Sequence, residues 1–475
     1  MTLFHRARAR NRARNRNRTI GRAGVDFTPT AGFRRREVFW ILDFGFWIGR
    51  AGWAALASCV VIALGCSGAP SAPTTSDVSQ MKSASPKQPA HVAPSAPQPQ
   101  PSQPPPAPPP PVNWPTYHGS TALDGVADVA LPDALVKRWS FDAGAPVQNP
   151  AVAVKDRICV ANAKGTIFAL DLDGKQVWSK TFTEPMGEGK PPRTVHFDAP
   201  LVLIGSTLIA ASAMGTVYAF DAATGDVRWR CETKAPIVGS PNVADVVIDD
   251  TPQRRVFVID EGDGALMCID FNTGALLWKG EGVSRCDGPP AANASLVAFG
   301  SCAAAVHVFS AVDGKLLRET PLDDESQVAG GVVMLGDSIY SGSRSGMFVH
   351  ANAQTGAMVW TNKDCEGESY STPAIDASHI VYGANDGVLY ALDRGPGALK
   401  WKQKLGDTPN SAIIARDKVV VTAGGELYLL KLADGEKLWS FSVSDFVTAP
   451  SMAGALVLVG SEDGSLAAFG AKEQP

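Results

Sequence analysis

The sequence lacks the short motifs that mark several large classes of enzyme. It has no G-x-S-x-G nucleophile turn, no Walker-type phosphate loop and no dinucleotide fingerprint. It also lacks C-x-x-C-H, the attachment site of a c-type haem, and no two of its 8 cysteines are adjacent. Its 7 histidines form no H-x-H or i,i+4 pair, so a histidine-based metal site is not expected. Serine hydrolase, nucleotide-dependent and haem chemistry are therefore poor candidates.

Lysine is absent from the first 66 residues, although that segment is strongly basic. It contains 12 arginines and only three acids, Asp26, Glu37 and Asp43, for a net charge of +9. The whole chain carries −4, so residues 67–475 carry −13. An acidic body is a poor partner for nucleic acid or for an anionic membrane surface. We therefore expect no nucleic-acid binding, and membrane contact only through an anchor.

Long hydrophobic runs are scarce. The uninterrupted apolar stretch 51–65 is shorter than the roughly 18–20 residues that span a bilayer, and it has the length of a signal-peptide core. It ends in Ala63-Leu64-Gly65-Cys66, which resembles a bacterial lipobox, whose cysteine receives a diacylglyceryl group. Residues 1–66 are therefore predicted to be an Arg-rich leader with a lipoprotein-type signal, and Cys66 to be lipidated. A cysteine-ended anchor helix and a simple secretory signal remain alternatives.

The next segment, 67–112, is rich in proline, serine, alanine and glutamine and includes PQPQPSQPPPAPPPP. Such a composition cannot bury a core and favours extended polyproline II. At ~3.1 Å per residue it could reach on the order of 100 Å. We predict a disordered tether between an anchored cysteine and a folded body at 113–475.

From residue 113 onward the chain repeats one phrase: glycine, an alternating apolar strand, usually aspartate, a glycine turn and a second strand ending in tryptophan. Clear copies are GTIFALDLDGKQVW (165–178), GTVYAFDAATGDVRW (215–229) and GALMCIDFNTGALLW (264–278). Further copies begin at residues 346, 387 and 425, and a degraded copy at 304–318 has Arg318 in place of tryptophan. The alternation of apolar residues favours strands.

The spacing of these phrases predicts the fold. From Trp139, successive second strands end 39, 51, 49, 40, 42, 41 and 38 residues apart. A period near 40, with a further pair of strands ahead of each phrase, is typical of four-stranded propeller blades. The last copy, 464–470, stops after its first strand, whereas 135–141 is a second strand without a first. Joining them removes open sheet edges. The sequence therefore predicts an all-β, eight-bladed β-propeller of four-stranded blades, closed by an N-terminal strand.

The tryptophans of the repeat are predicted to be structural. Each would lie flat between neighbouring blades and bury on the order of 200 Å². A role as a cofactor platform is the minor alternative. The predicted blade-packing residues are Trp139, Trp178, Trp229, Trp278, Trp360, Trp401 and Trp439.

These phrases resemble the PQQ-like, or quinoprotein-type, propeller repeat A-x-D-x-x-T-G-x-x-x-W. Residues 113–120, NWPTYHGS, resemble the W-P-x-x-x-G lead-in of such propellers, and the similarity covers 113–470. The resemblance implies the fold more strongly than the activity. Quinoprotein dehydrogenases of this kind hold pyrroloquinoline quinone (PQQ) with calcium, whereas the outer-membrane assembly lipoproteins are non-catalytic scaffolds. Many of the former carry adjacent cysteines against the quinone, which this chain lacks.

Six cysteines follow the leader, an even number that permits disulfides in an exported protein. Cys286 and Cys302 flank a predicted hairpin symmetrically, so they are a candidate bridge.

The longest insertions, 184–193 and 245–255, explain the two long repeat steps and are expected to project on a rim, where binding loops tend to lie.

The sequence therefore favours a monomeric envelope lipoprotein at the outer membrane, facing the periplasm or the cell surface. It would bind other envelope proteins through its rim loops, possess no catalytic, cofactor or metal residues, and take part in outer-membrane protein assembly. The alternative is a PQQ-binding quinoprotein oxidoreductase or a ligand sensor, with calcium beside the quinone.

Overall fold

The computed structural model describes residues 113–184, 189–323 and 326–472, and these residues form strands and connecting turns without an α-helix. The leader, Cys66 and the tether lie outside the described residues. Eight sheets of four strands are present, and one of them gains a fifth strand from the N-terminal segment. The predicted eight-bladed, four-stranded propeller is confirmed.

Two strands precede the first complete blade: β1 Val126–Ala127 and β2 Val136–Asp142. Blades 1 to 4, with the small hairpin β7–β8 after blade 1, contain β3 Val152–Val154, β4 Arg157–Ala161, β5 Thr166–Leu170, β6 Gln176–Thr181, β7 Thr183–Glu184, β8 Arg193–Thr194, β9 Val202–Ile204, β10 Thr207–Ser212, β11 Thr216–Asp221, β12 Val227–Glu232, β13 Asn242–Ile248, β14 Thr251–Ile259, β15 Leu266–Asp270, β16 Leu276–Lys279, β17 Ala291–Ala292, β18 Leu296–Ser301, β19 Ala305–Ser310 and β20 Leu316–Pro321. Blades 5 to 8 contain β21 Val333–Leu335, β22 Ser338–Gly342, β23 Phe348–Asn352, β24 Met358–Asn362, β25 Ala374–Ile375, β26 His379–Gly383, β27 Val388–Asp393, β28 Leu399–Lys404, β29 Ile413–Ala415, β30 Lys418–Ala423, β31 Glu426–Lys431, β32 Lys437–Ser442, β33 Ser451–Ala453, β34 Leu456–Gly460 and β35 Ser465–Gly470.

Blade 8 is assembled from both ends of the propeller sequence. Its order is β2-β35-β34-β33, and β2 runs antiparallel to β35 with Val136 opposite Gly470 and Asp142 opposite Ser465. The closing N-terminal strand is therefore the one that the sequence predicts. Because the ring is joined through β2, no blade leaves its third strand as a free edge.

The core is a ring of interfaces between neighbouring blades. The middle strands are buried on both faces, as in β10, whereas the outermost strands such as β6 alternate with solvent. One apolar cluster joins blades 1 and 2, another joins blades 2 and 3, and a third joins blades 3 and 4. Each sheet thus forms a sandwich with both neighbours, which explains the continuous apolar runs of the repeat.

Every outermost strand carries a β-bulge one residue before its tryptophan position. The pairing shifts between Ala219 and Phe220 in blade 2, for example, so that Trp229 lies opposite Ala219 and Val227 opposite Phe220. The same shift occurs in the other seven blades. A bulge twists the strand and disrupts its free edge.

The antiparallel order defines two faces. The face that carries the connections between blades and the turns between second and third strands is called the upper face. The lower face carries the turns between first and second and between third and fourth strands. Among the described residues no helix is long and apolar enough to cross a membrane.

Candidate binding surfaces

Each tryptophan of an outermost strand reaches the next blade. A Cβ added to the turn glycine of the following blade would lie only 2.4–2.9 Å from the indole ring at six junctions. The pairs are Trp139 with Gly174, Trp178 with Gly225, Trp229 with Gly274, Trp278 with Gly314, Trp360 with Gly397 and Trp401 with Gly435. Trp439, which ends blade 7, lies instead beside Phe469 of blade 8, with ring centres 6.2 Å apart. The turn glycines therefore keep the blades in register because they leave room for a ring.

Most of these rings also donate a hydrogen bond across the junction. The Trp229 Nε1 donates to the Phe271 carbonyl at 2.9 Å, and the Trp401 Nε1 to the Leu432 carbonyl at 2.8 Å. Trp360 is different, since its buried Nε1 has no hydrogen-bond partner among the described residues.

The junction between blades 4 and 5 has no indole. Arg318 stands at that position, and its Nε donates to the Gln354 carbonyl at 2.8 Å, much as an indole Nε1 does elsewhere. The turn glycine, Gly356, keeps the left-handed φ of +71°. The nearest atom to a Cβ at Gly356 is the Arg318 Cβ at 3.6 Å, well beyond the ring distances of the other junctions. The hydrogen bond is thus retained while the ring is missing.

An N-terminal segment, residues 114–127, follows the inner edges of the first strands, and we call it the strap. Carbonyls of the strap accept hydrogen bonds from backbone amides of blades 1, 2, 4, 5, 6 and 7 in turn. The accepting residues are Trp114, Pro115, Thr121, Ala122, Asp124 and Gly125, and the donors are Ala153, Leu203, Ala292, Met334, Ile375 and Ile414. In blade 3, the Asn242 side-chain amide donates to the Thr121 carbonyl at 2.8 Å. The strap therefore satisfies backbone groups that face the central channel.

Two polar side chains fix the strap within the channel. The Tyr117 hydroxyl lies 2.8 Å from the Ser411 hydroxyl and 3.2 Å from that of Thr372. The buried His118 ring bridges the carbonyls of Leu123 and Ala412, at 2.7 and 2.9 Å. Burial lowers the pKa of His118, although both hydrogen bonds oppose the shift. The sequence analysis identified this segment only as a lead-in, through its W-P-x-x-x-G motif. It did not predict that the segment follows the inner strands of the blades.

Neighbouring blades approach each other closely at the glycines that precede their first strands. A Cβ on Gly288 would lie 2.5 Å from the Gly330 carbonyl, and one on Gly331 would lie 2.3 Å from the Thr372 hydroxyl. The described residues contain no group of three or more His, Cys, Asp or Glu side chains placed to hold a metal ion.

The two predicted binding insertions lie on opposite faces. The first forms the hairpin β7–β8 in a connection between blades, and thus on the upper face, where the Tyr218 hydroxyl donates to Glu184. Burial, together with Glu184, raises the pKa of Tyr218. The second extends β13 and β14 on the lower face, where Arg254 holds Asp245 through two hydrogen bonds of 2.8 Å. The insertions therefore do not form one rim surface.

The two candidate disulfide residues carry free thiols in the structure. Cys286 is buried and Cys302 is half-buried, and the Cys302 amide donates to the Arg285 carbonyl at 2.8 Å. Burial raises the pKa of Cys286 to about 12. A bridge between them stays a prediction.

One set of side chains in blade 4 has the composition of a catalytic triad. The Ser301 hydroxyl lies 2.8 Å from the His307 Nε2, and the His307 Nδ1 lies 3.3 Å from a Glu319 carboxylate oxygen. Ser301 and His307 are fully buried, so no substrate can reach the hydroxyl. Burial also lowers the pKa of His307. The set is a structural network inside the blade.

These features define a class of protein: an eight-bladed propeller of PQQ-like repeats, with its blades held in register by tryptophan–glycine contacts. A family model described as "Outer membrane protein assembly factor BamB" matches residues 190–403 and 385–473, more than half of the chain. The chain therefore belongs to this family, and the resemblance inferred from the repeat is confirmed.

Curated relatives carry the same family name. The BamB of Yersinia pestis is 27% identical over 315 residues, covering 65% of this chain and 70% of the relative. The BamB of Moranella endobia is 23% identical over 330 residues, covering 66% and 82%.

The solved structures that share this fold include both enzymes and assembly factors. BamB from Moraxella catarrhalis aligns with a TM-score of 0.60 at 17% identity, over 71% of this chain and 100% of that structure. Quinohemoprotein alcohol dehydrogenase from Comamonas testosteroni also aligns at 0.60, at 14% identity and over 77% and 82%. Fold similarity at this level does not separate the two activities, whereas the family match does.

Proposed function

We propose that this protein is a non-catalytic scaffold of the bacterial envelope that takes part in outer-membrane protein assembly. The observation that carries the proposal is the family match across the propeller. The blades support it, because the tryptophans and turn glycines of the repeat are engaged in packing between blades. A rigid propeller of this kind presents loops to partners without needing to move.

Depletion of the protein in its own bacterium tests this function. We expect the amount of folded, heat-modifiable outer-membrane β-barrel protein to fall, and expression of the full chain to restore it. Normal β-barrel levels in depleted cells would refute the assembly function.

We further propose that the protein works without PQQ. The absence of adjacent cysteines in the sequence supports this, as does the lack of a metal-ligand group among residues 113–184, 189–323 and 326–472. A ligand at a hundred times its Kd would stabilise the fold by about 2.7 kcal/mol. We expect PQQ with calcium to leave the melting temperature unchanged, and a dose-dependent rise would favour the quinoprotein alternative.

The proposed location is the outer membrane, where a lipid on Cys66 anchors the protein and the 67–112 tether connects that anchor to the propeller. The Ala63-Leu64-Gly65-Cys66 sequence supports it. Labelled palmitate should enter the wild-type protein and not the Cys66→Ser variant. Equal labelling of both would exclude Cys66 as the anchor.

The proposed partners are other envelope proteins, bound by a monomer through its loops. The hairpins β7–β8 and β13–β14 remain the candidate contacts, and their opposite placement predicts two separable sites. Shortening one hairpin should remove one set of cross-links in the native envelope and leave the other set intact.

A further inference from the structure

The outer wall of blades 3 to 5 is more apolar than the rest of the circumference. Each of these blades exposes two apolar side chains just before its tryptophan position, whereas the other blades expose one or none there. Together with Val312 of the blade 4 turn they form what we call the lateral surface: Leu276, Leu277, Val312, Leu316, Leu317, Met358 and Val359, each between 36% and 54% exposed. Exposed apolar surface of this kind marks contact sites more often than chance.

The lateral surface includes the blade 4–5 junction, which has Arg318 in place of an indole. At six other junctions an indole lies against a turn glycine, at 2.4–2.9 Å from where a Cβ would be. At the blade 4–5 junction Gly356 retains the same backbone conformation, but the aliphatic stem of Arg318 and the Glu319 carbonyl lie over it, at 3.6–3.7 Å. We call the space above Gly356 the socket. The Arg318 stem fills it at van der Waals distance, in the position that an indole occupies at the six other junctions.

The socket carries a cationic side chain that is not paired with any carboxylate that the structure describes. Residues 67–475 carry a net −13, yet Arg318 is exposed and makes no ion pair with a carboxylate of the described residues. Its guanidinium donates to two backbone carbonyls instead, those of Gln354 and Leu317. An incoming carboxylate would gain a charge-assisted hydrogen bond, and an incoming ring a cation–π contact.

We propose that the socket docks a segment of a partner protein that presents an aromatic side chain beside a carboxylate. The ring would lie against Gly356 as the indoles do at the other junctions, with Leu317 and Val359 on either side. The Arg318 side chain, whose stem covers Gly356, would turn to meet the carboxylate. The proposal deepens the scaffold function proposed above and rests on it.

A minimal probe of this chemistry is N-acetyltryptophan, which joins an indole to a free carboxylate. N-acetylleucine keeps the carboxylate without the ring, and N-acetyltryptophanamide keeps the ring without the charge. Met358 lies beside the socket and is 37% exposed. Its methyl group reports binding because a nearby aromatic ring shifts its NMR signal. The buried Met452 serves as the internal reference.

With the full chain labelled at its methionine methyl groups, N-acetyltryptophan should shift the Met358 signal saturably and leave Met452 unmoved. Its affinity should exceed that of each control compound by about tenfold. Absence of a Met358 shift, or an equal shift with N-acetylleucine, would overturn the proposal.

Arg318→Trp provides the decisive variant, since it fills the socket with the residue found at the other junctions. We expect it to fold with an unchanged or higher melting temperature and to lose the Met358 shift, whereas Arg318→Lys keeps the shift. If Arg318→Trp does not fold, Val359→Asp replaces it, because a carboxylate on that exposed side chain would repel the probe. Retention of the shift in a folded Arg318→Trp or Val359→Asp protein would contradict the assignment.

The same variants separate this proposal from the scaffold function itself. If depletion impairs β-barrel assembly, Arg318→Trp should impair it too and should weaken photo-cross-linking from position 359 but not from Val227 of blade 2. If depletion impairs β-barrel assembly but Arg318→Trp does not, the docking role of the socket is overturned and the scaffold function is retained. A concentration-dependent dimer that Arg318→Trp abolishes would assign the socket to a second copy of this chain, and would also overturn the proposal.

Discussion

At the residue scale, the turn glycines have two separable roles. All of them adopt a left-handed φ, but Gly314 also lies against the Trp278 ring, whereas Gly356 has only the Arg318 stem above it. Alanine at either position suffers the backbone strain of roughly 1–2 kcal/mol. We expect Gly314→Ala to lose about 1–3 kcal/mol more than Gly356→Ala, because its methyl group would displace a ring. Chemical unfolding of the two variants measures the difference, and equal losses would mean that the ring contact contributes nothing.

The tryptophans differ in a second, polar respect. Trp401 donates to the Leu432 carbonyl at 2.8 Å, whereas the buried Nε1 of Trp360 has no partner within the part of the chain that the structure describes. Phenylalanine removes the donor at both positions and keeps most of the ring. We expect Trp401→Phe to cost about 1 kcal/mol more than Trp360→Phe, since it also leaves a carbonyl without its donor. Thermal unfolding of the pair checks this, and a greater loss in Trp360→Phe would show that its indole has a partner after all.

At the scale of the element, the strap begins with a large buried side chain, Trp114. Trp114 is 2% exposed and pairs with Ala153 through two backbone hydrogen bonds of 2.7 and 2.9 Å. Trp114→Ala should destabilise the fold by about 3–5 kcal/mol and release the strap. Limited proteolysis should then cut before β2, and the exposed Asp128→Ala should leave the strap protected. Equal protection in Trp114→Ala would show that the channel contacts suffice without the indole.

At the scale of the whole molecule, buried histidines set the acid limit of stability. Desolvation lowers the pKa of His118, His307 and His350 below the ordinary value of 6.5. The unfolded chain therefore takes up protons near pH 6.5 that the folded chain refuses, so stability is full above that pH and falls as the pH is lowered through it.

The melting temperature should therefore fall between pH 7.5 and 5.5. His307→Gln should reduce that slope, whereas His196→Gln, at an exposed position, should not. A melting temperature independent of pH in this range would contradict the account.

Sequence periodicity determined the number of blades, the closing strand and the tryptophan positions, because strand alternation and turn glycines act over only a few residues. Tertiary structure alone decided three other features. The strap has no periodic pattern, and its path follows from backbone donors of six blades and one side-chain amide of a seventh, which lie far apart in the sequence. The insertions at 184–193 and 245–255 read alike as long repeat steps, but strand direction puts them on opposite faces. In the sequence, Arg318 is only a departure from the tryptophan of the repeat. The distances between the turn glycines and the rings at the other junctions show what its side chain replaces.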